Sequence, residues 1–588
     1  MAGDYDYDLP TINRWIAQGK LTKDHIMSRL DGIVQNGVIG LEDKQALQAT
    51  FASASSCAPS GDGDTLTELA FISLLQSKAG LPRNPEGAEV GKIIYEMLVY
   101  LSTLPFPTRP HHLQPEGLTL VQIARALAWA LSDRNKYIFD ECNHSRMRTR
   151  SDHDRIIFQS LANSTVPATM QDEVRRRVNE LAHRNLFDVN EFFHDLCGLN
   201  NDADGDEIYH DLLEVIYSTQ EEVPPGLANV PRDKFRSIAK QIKADEKLPE
   251  LHTLSIPVPR LEVFVKVMLA LQFETVTSGQ NSIELSQFDD AARCICTAFI
   301  QDQDESQGLN AGASGVITWP SYHQALRTSS PYLLYPFYRL LTLAFLDKPG
   351  TFDIIDSSEP IPHIPADAVL TRSRASQLNT FLAHSTYGPD LRRMKYYVSS
   401  NLPTPAFLAQ AIQDVPDEAI VLFAGQATGT GPAKGKLCVF GLFSPKPKED
   451  RSHILARADF RPNAEGQQQC TLFQLAPSQD LYQGVAGAAG WSTTVDADGS
   501  ENVIFGRATS IDDIGGERGG VVLTLRDGLR RGEVRHRGRG VDVNIDSRTD
   551  SRAGEVTYKA NPSRSDWVLE FDIDKIEIWS EINGSESN

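Results

Sequence analysis

The stretch Trp567-Val-Leu-Glu-Phe-Asp-Ile-Asp-Lys-Ile-Glu-Ile-Trp579 restricts the fold more than any other part of this 588-residue chain. Trp567, Leu569, Phe571 and Ile573 share one parity, with Val568, Glu570, Asp572 and Asp574 on the other. A half-buried strand has this two-residue period. The apolar set then moves to even positions, Ile576 and Ile578, with Glu577 between them. A one-residue slip turns every side chain over, so the pattern predicts a bulge or bend around Asp574-Lys575, with two segments facing different layers. Ile576 and Ile578 would be core. Glu577 and Trp579 would lie on the opposite face, as a surface edge or as a satisfied acid beside an aromatic.

The same half supplies short runs bounded by Gly and polar turns: Leu437 to Phe443, Cys470 to Leu475, Val503 to Gly506 and Val521 to Leu525. Strands separated by long turns, without alternating helices, argue for a two-layer antiparallel sandwich. From about residue 10 to 345 the apolar period is instead 3.6. Ile93, Ile94, Met97, Leu98 and Leu101 form one stripe, and Ile123, Leu127, Ala130 and Leu131 another. Leu261, Phe264, Val265, Met268 and Leu269 repeat it, as do Phe337, Leu340, Leu341 and Phe345. These read as core faces of helices. The fold class is therefore α+β, with an all-α N-terminal region and a β-sandwich with flanking helices at the C-terminus.

A short phrase recurs in the helical half. Leu66-Thr67 precedes Phe71, Leu118-Thr119 precedes Ile123, and Ile317-Thr318 precedes Tyr322; Ile283 to Phe288, with Ser286, is a looser copy. An apolar residue followed by a helix-capping hydroxyl is how the second half of an EF-hand reads. With Ile317 at loop position 8, Gly315 takes the turn at position 6, but positions 1, 3, 5 and 12 are Asn310, Gly312, Ser314 and Ser321. Calcium needs several carboxylate oxygens, so this unit keeps the turn without the ligands. The loop around Leu66 lacks Gly at position 6 and has Ala70 at 12. One loop keeps acids: Gly205 at position 6 puts Asn200, Asp202, Asp204 and Asp211 at positions 1, 3, 5 and 12. Against a calcium site, Glu207 stands at position 8, and acids near a helix N-terminus are favoured by the helix dipole in any case.

Between Asp347 and Pro365 the chain turns Pro- and acid-rich, which blocks helix and interior strand. The expected organisation is a helical region 1–346 with degenerate EF-hand-like units, a linker 347–365, a second domain 366–582 opened by a helix from Leu370 to Leu382, and a tail 583–588. Gly429 to Lys436 resembles a phosphate loop, but Thr430 stands where Gly is required and Leu437 where Ser or Thr must reach magnesium. It reads as a strand-connecting turn. There is no G-x-S-x-G, no H-E-x-x-H and no cofactor fingerprint, and no cofactor is expected. Residues 526–540 hold six Arg against two acids. That run reads either as a solvated loop or as a contact with an acidic protein surface, through Arg530, Arg531, Arg535, Arg537 and Arg539.

With 57 Lys+Arg against 78 Asp+Glu the net charge is −21. This balance disfavours nucleic acid and anionic lipid, so membrane association would run through a protein partner. The seven cysteines are scattered, without a C-x-x-C pair, and suit structural thiols in a reducing compartment. The polar start, Met-Ala-Gly-Asp-Tyr, is neither a secretory signal nor a myristoylation site, and no run of eighteen apolar residues occurs. A cytoplasmic protein is expected.

In their order, the strand motifs resemble the TLDc domain family. They are Val439-Phe440-Gly441 with Phe443, Thr471-Leu-Phe-Gln-Leu475, Ile504-Phe505-Gly506, Gly520 through Leu525, the turn from Asp527 to Gly532, and Ile576-Glu577-Ile578-Trp579. The resemblance covers about 220 residues. Together with the helical half it resembles the subgroup of fungal restriction-of-telomere-capping proteins and their animal relatives. The stretch between Gly532 and Trp567 departs from the family. The resemblance implies a non-enzymatic protein that binds the vacuolar proton pump, the V-ATPase, modulates its assembly or activity, and is linked to oxidative-stress resistance. It would sit peripherally at the vacuolar or lysosomal membrane. The competing reading is an enzyme or redox-active protein acting through Glu577, Cys438 or Cys470, or a weak calcium sensor. Glu577 has no partner visible in the sequence, and a thiol in a buried strand is usually inert.

Overall fold

Each apolar stripe of the N-terminal half is the buried face of a helix. The computed structural model describes residues 8–57, 64–107, 117–131, 134, 138, 150–188, 207–221, 229–273, 284–300, 315–346, 363–382, 391–415, 418–429, 433–444, 470–484, 491–495, 499–506, 520–537, 558–561, 564 and 566–581. Helix Pro85–Thr103 buries the first stripe, Leu120–Ala130 the second, Val258–Ala270 the third and Tyr335–Phe345 the fourth. All four faces belong to one apolar core. Local chemistry sets the starts. The Asn84 side chain accepts from the Gly87 amide ahead of a proline in the first turn, and Thr119 forms a reciprocal capping box with Gln122.

The recurrent phrase has a tertiary meaning. Thr67 and Thr119 cap their helices, and just ahead of them Leu66 and Leu118 exchange backbone hydrogen bonds of 2.9 and 3.0 Å as an antiparallel bridge. The third copy pairs elsewhere. Ile317 lies opposite Ile256 in a small sheet of Ser164–Thr165, Leu254–Pro257 and Val316–Thr318. Ile256 is followed by Pro257 at the cap and a second proline in the first turn, so a search for hydroxyl caps passes over it. Two expected caps are not formed. Thr318 Oγ1 faces Ser321 Oγ at 3.4 Å, and Ser286 donates to Glu284. Ile283, Asn310, Gly312 and Ser314 lie outside the described residues.

The described residues of the C-terminal half form one antiparallel sheet of ten strands. In chain order these are β1 (Leu391–Val398), β2 (Ala419–Ala427), β3 (Leu437–Ser444), β4 (Thr471–Ala476), β5 (Asp480–Gln483), β6 (Trp491–Val495), β7 (Glu501–Phe505), β8 (Gly520–Arg526), β9 (Arg531–Arg537) and β10 (Trp567–Glu581). Their spatial order is β5-β4-β3-β2-β10-β9-β8-β7-β6, with β1 added on β10. A two-layer antiparallel sandwich was expected; the layers come from a single sheet that folds over on itself. Phe423 of β2 and Phe505 of β7 have ring centroids 5.3 Å apart, although four strand spacings, roughly 19 Å in a flat sheet, separate them. The fold is centred on β10. One edge of it pairs with β2, while the other pairs with β9 up to Asp572 and with β1 from Lys575 onward.

The expected irregularity is present: the register of β10 against β2 shifts between Ile573 and Lys575. Its consequence is the reverse of the expectation. Phe571, Ile573, Ile576 and Ile578 all enter the same core between the layers, because the bulge absorbs the odd residue and restores the face. Trp579 points the other way, into a second apolar cluster with Leu370, Leu378, Ile420 and Phe473, beneath helix Arg372–Asn379. That short helix stands where the longer one from Leu370 to Leu382 was expected.

The helical half contributes Phe273 to the same cluster. A polar seam runs beside it. The Gln479 amide nitrogen lies 2.8–2.9 Å from Ser329 O, Ser330 Oγ and Thr380 Oγ1, three acceptors for its two hydrogens, and Tyr332 N donates to Thr380 O at 2.7 Å. Of the expected linker 347–365, residues 347–362 lie outside the described residues, as do 582–588. The phosphate-loop look-alike joins β2 to β3 as a turn, closed by hydrogen bonds between Ala427 and Lys436 and between Gly435 and Ala427.

Candidate functional site

Glu577 is fully buried and its carboxylate is met by four donors. Its Oε1 accepts from the Val369 amide at 2.9 Å and from Arg393 Nη1 at 3.1 Å. Its Oε2 accepts from the Leu370 amide at 3.1 Å and from Trp579 Nε1 at 2.9 Å. The geometry follows from the bulge, which turns Glu577 and Trp579 away from the inner core and toward residues 367–370. Arg393 on β1 reaches across, gives its other nitrogen to Asp367 Oδ1 at 3.1 Å, and lies 4.3 Å from the Tyr396 ring centre. Burial lowers the Arg393 pKa, but hydrogen bonds to Glu577 and Asp367 outweigh it and the net shift is upward.

A carboxylate offers about four acceptor directions, and all four are used here. General acid–base work needs a lone pair or proton free for substrate, and nucleophilic attack needs access. Glu577 has neither in this arrangement. It acts as a clamp, tying the entry of the sheet half to the last strand across 208 residues of chain. Of the two alternatives read from the sequence, the satisfied acid beside an aromatic is the one found.

The other motif residues also pack. Phe440 and Phe505 are buried in the inner core. Gly441 faces Phe473 across β3 and β4, and Gly532 faces Phe571 across β9 and β10. A Cβ at either glycine would come within 2.3 Å of the facing ring, so each aromatic lies directly over a bare backbone. Gly506 holds a φ of +100° at the end of β7.

The arginine run is not a loop. It forms β9, hairpinned to β8 through Asp527, Gly528 and Leu529, all with positive φ. Gly532, Val534 and His536 turn inward, while Arg531 and Arg535 project from the outer face beside the exposed Arg526, Arg530 and Val568. The run looked like a loop because alternate inward positions hold Gly, Val and His, a weak apolar signal. Its charge is partly matched: Glu533 contacts Arg526 and Arg535, and Arg531 lies 3.5 Å from Asp527 and 3.9 Å from Asp572. Arg537 is half-buried, and Arg539 lies outside the described residues.

Of the loop that keeps acids, Asn200, Asp202 and Asp204 lie outside the described residues. Asp211 sits inside helix Glu207–Ser218, buried, with both oxygens accepting from Arg155 at 2.7 and 2.9 Å. A bidentate guanidinium thus occupies the acceptors that a position-12 acid would turn to calcium. Burial pushes the Cys438 thiol up to about 12 and raises Cys470 as well, which keeps both protonated.

Sequence reasoning passed over Asp152-His153-Asp154-Arg155, a charged run on helix Arg150–Leu161 that is buried throughout. It also passed over Arg393 and the Gln479–Asp480 seam. The signal for the first was a helix with apolar residues at Ile156, Ile157, Phe158 and Leu161 preceded by four polar ones. Such a run normally reads as a solvated end. No described helix is long and apolar enough to cross a membrane. No protein-family model matches this chain, and no curated protein matches it.

Proposed function

We propose that this chain is a TLDc-type protein with an EF-hand-like helical region, and that it is a non-enzymatic binding protein. Its partner in this reading is the V-ATPase, whose assembly or activity it modulates in connection with oxidative-stress resistance. Its location would be cytoplasmic, peripheral at the vacuolar or lysosomal membrane through the pump. The observation that carries the reading is the use of the ordered motif residues. Gly441, Gly532, Phe440 and Phe505 serve packing, and Glu577 serves a saturated clamp, so the motifs describe a rigid platform. The backbone pairing of Leu66 with Leu118, and of Ile256 with Ile317, supports the EF-hand-like reading of the helical half. The outer face of β8, β9 and β10, with Arg531, Arg535 and Val568 exposed, is the surface offered to the partner.

Affinity purification of the tagged chain from fed and starved cells, read by mass spectrometry, tests this. Pump subunits should be captured, and an Arg531→Glu, Arg535→Glu variant should capture less. Absence of pump subunits in both states rejects the partner. Peroxide consumption by the purified protein, lost on Glu577→Gln or on Cys438→Ser or Cys470→Ser, would reinstate the enzymatic reading. Heat on calcium titration would reinstate the sensor.

A further inference from the structure

The segment from Ser329 to Tyr335 links helix Trp319–Thr328 to helix Tyr335–Phe345 and also forms the seam with the sheet. On the sheet side it is held by Gln479 and Thr380. On the helical side the Pro331 carbonyl accepts from Arg150 Nη2. A cavity lies beneath it, lined by Arg150, His153, Asp154, Pro331, Tyr335 and Tyr338, among others.

Asp154 is the unusual member. Its side chain is only 5% exposed, and among the described residues its ion-pair contact is Arg150 Nε at 3.7 Å, too long for a hydrogen bond. Its neighbour Asp152 contacts Arg155, which also holds Asp211, so the nearby acids are compensated by a different arginine. Among the described residues, the charged and titratable groups around Asp154 come from three helices. Arg150 and His153 come from its own helix. Tyr322, His323 and Arg327 come from Trp319–Thr328, and Tyr335 and Tyr338 from the following helix. His153 bonds the Tyr338 hydroxyl at 3.0 Å. Burial lowers the His323 pKa to about 3, aided by Arg327 and Arg150, so His323 stays neutral near physiological pH.

We propose that Asp154 is a proton-operated latch on the seam: ionised, it retains Arg150 against the Pro331 carbonyl; protonated, it releases Arg150 and loosens the segment from Ser329 to Tyr335. The asymmetry of exposure gives the direction. The Arg150 side chain is 32% exposed and has a route to water, whereas Asp154 is nearly closed off at 5%. Once the acid is neutral, Arg150 keeps no counter-charge among the described residues lining the cavity, and hydration competes for it. Burial raises Asp154 to about 6, against the lowering effect of Arg150 and Arg327. The protonated fraction therefore goes from about a tenth at pH 7 to about nine-tenths at pH 5.

Hydrogen exchange of the full chain, corrected for intrinsic rates and followed at the Tyr332 amide from pH 5 to pH 7.5, tests the latch. Protection should fall by roughly tenfold on acidification, with a midpoint near pH 6. Asp154→Asn should lack the step and show the low-protection state at every pH, while its thermal midpoint at pH 7.5 rises above wild type. Those opposite movements of local and global stability separate a latch from a merely structural acid. Arg150→Met should also lose the step. Protection that is flat with pH in the wild type, or a step that survives in Asp154→Asn, overturns the proposal.

Discussion

Replacing Glu577 with Gln is the sharpest test of the clamp. Glutamine matches glutamate in shape but offers one acceptor oxygen and one NH2 group. If its oxygen stays on the side of Val369 N and Arg393 Nη1, the NH2 points at Leu370 N–H and Trp579 Nε1–H, leaving both donors without an acceptor. Each buried donor left unmade costs about 1–3 kcal/mol. Removing one partner of a buried ion pair costs about 3–5 kcal/mol. These overlap, because the same bonds are counted in both, and about 4 kcal/mol is the expected loss. For a unit of about 200 residues that corresponds to a drop of about 10 °C in the melting of the sheet half. Urea unfolding of wild type, Glu577→Gln, Arg393→Met and the double variant measures it. The double variant should be less destabilised than the sum, since the guanidinium no longer lacks a counter-charge. A loss below about 1 kcal/mol for Glu577→Gln, with additive singles, refutes the clamp. A catalytic glutamate would behave in that second way, losing activity while keeping stability.

Four further outcomes are expected. Asp154→Asn should stabilise the protein at pH 7.5, because the folded pKa of about 6 lies above the ordinary 3.8: the stabilising contribution is full below about pH 4 and lost as pH rises through 6. The gap is up to about 3 kcal/mol and closes toward pH 4 in thermal scans across pH. Arg155→Met should cost about 3–5 kcal/mol in urea unfolding, since Asp211 loses both of its Arg155 hydrogen bonds inside the core. Gly532→Ala should destabilise by about 1–3 kcal/mol through collision with the Phe571 ring, and paired Phe571→Leu should relieve part of it. Arg531→Glu with Arg535→Glu should leave unfolding within about 0.5 kcal/mol, as both are exposed, so any fall in pump capture reports a contact.

Much of the local structure was legible because its signal is periodic. The stripes at Ile93 to Leu101 and Phe337 to Phe345 became buried helix faces, and the parity change in the last strand became a bulge between Ile573 and Lys575. The strand β9 was not legible, because Gly, Val and His alternate with arginines where a strand ordinarily advertises branched apolar residues. The unit at Ile256 was missed because proline takes the place of the hydroxyl cap.

By itself the sequence determined the helical stripes of the N-terminal half, the strands β3, β4, β7, β8 and β10, and where the final strand must slip by one residue. These are properties of a side chain and its near neighbours. Only the tertiary structure decided which way that slip faces and what Glu577 does. Opposite parities reach one core because β2 accommodates the extra residue, and the acid is saturated by donors from residues 369, 370, 393 and 579. A buried charge is defined by partners that neutralise it, and three of these four lie roughly two hundred positions away in the chain, beyond the reach of any local pattern.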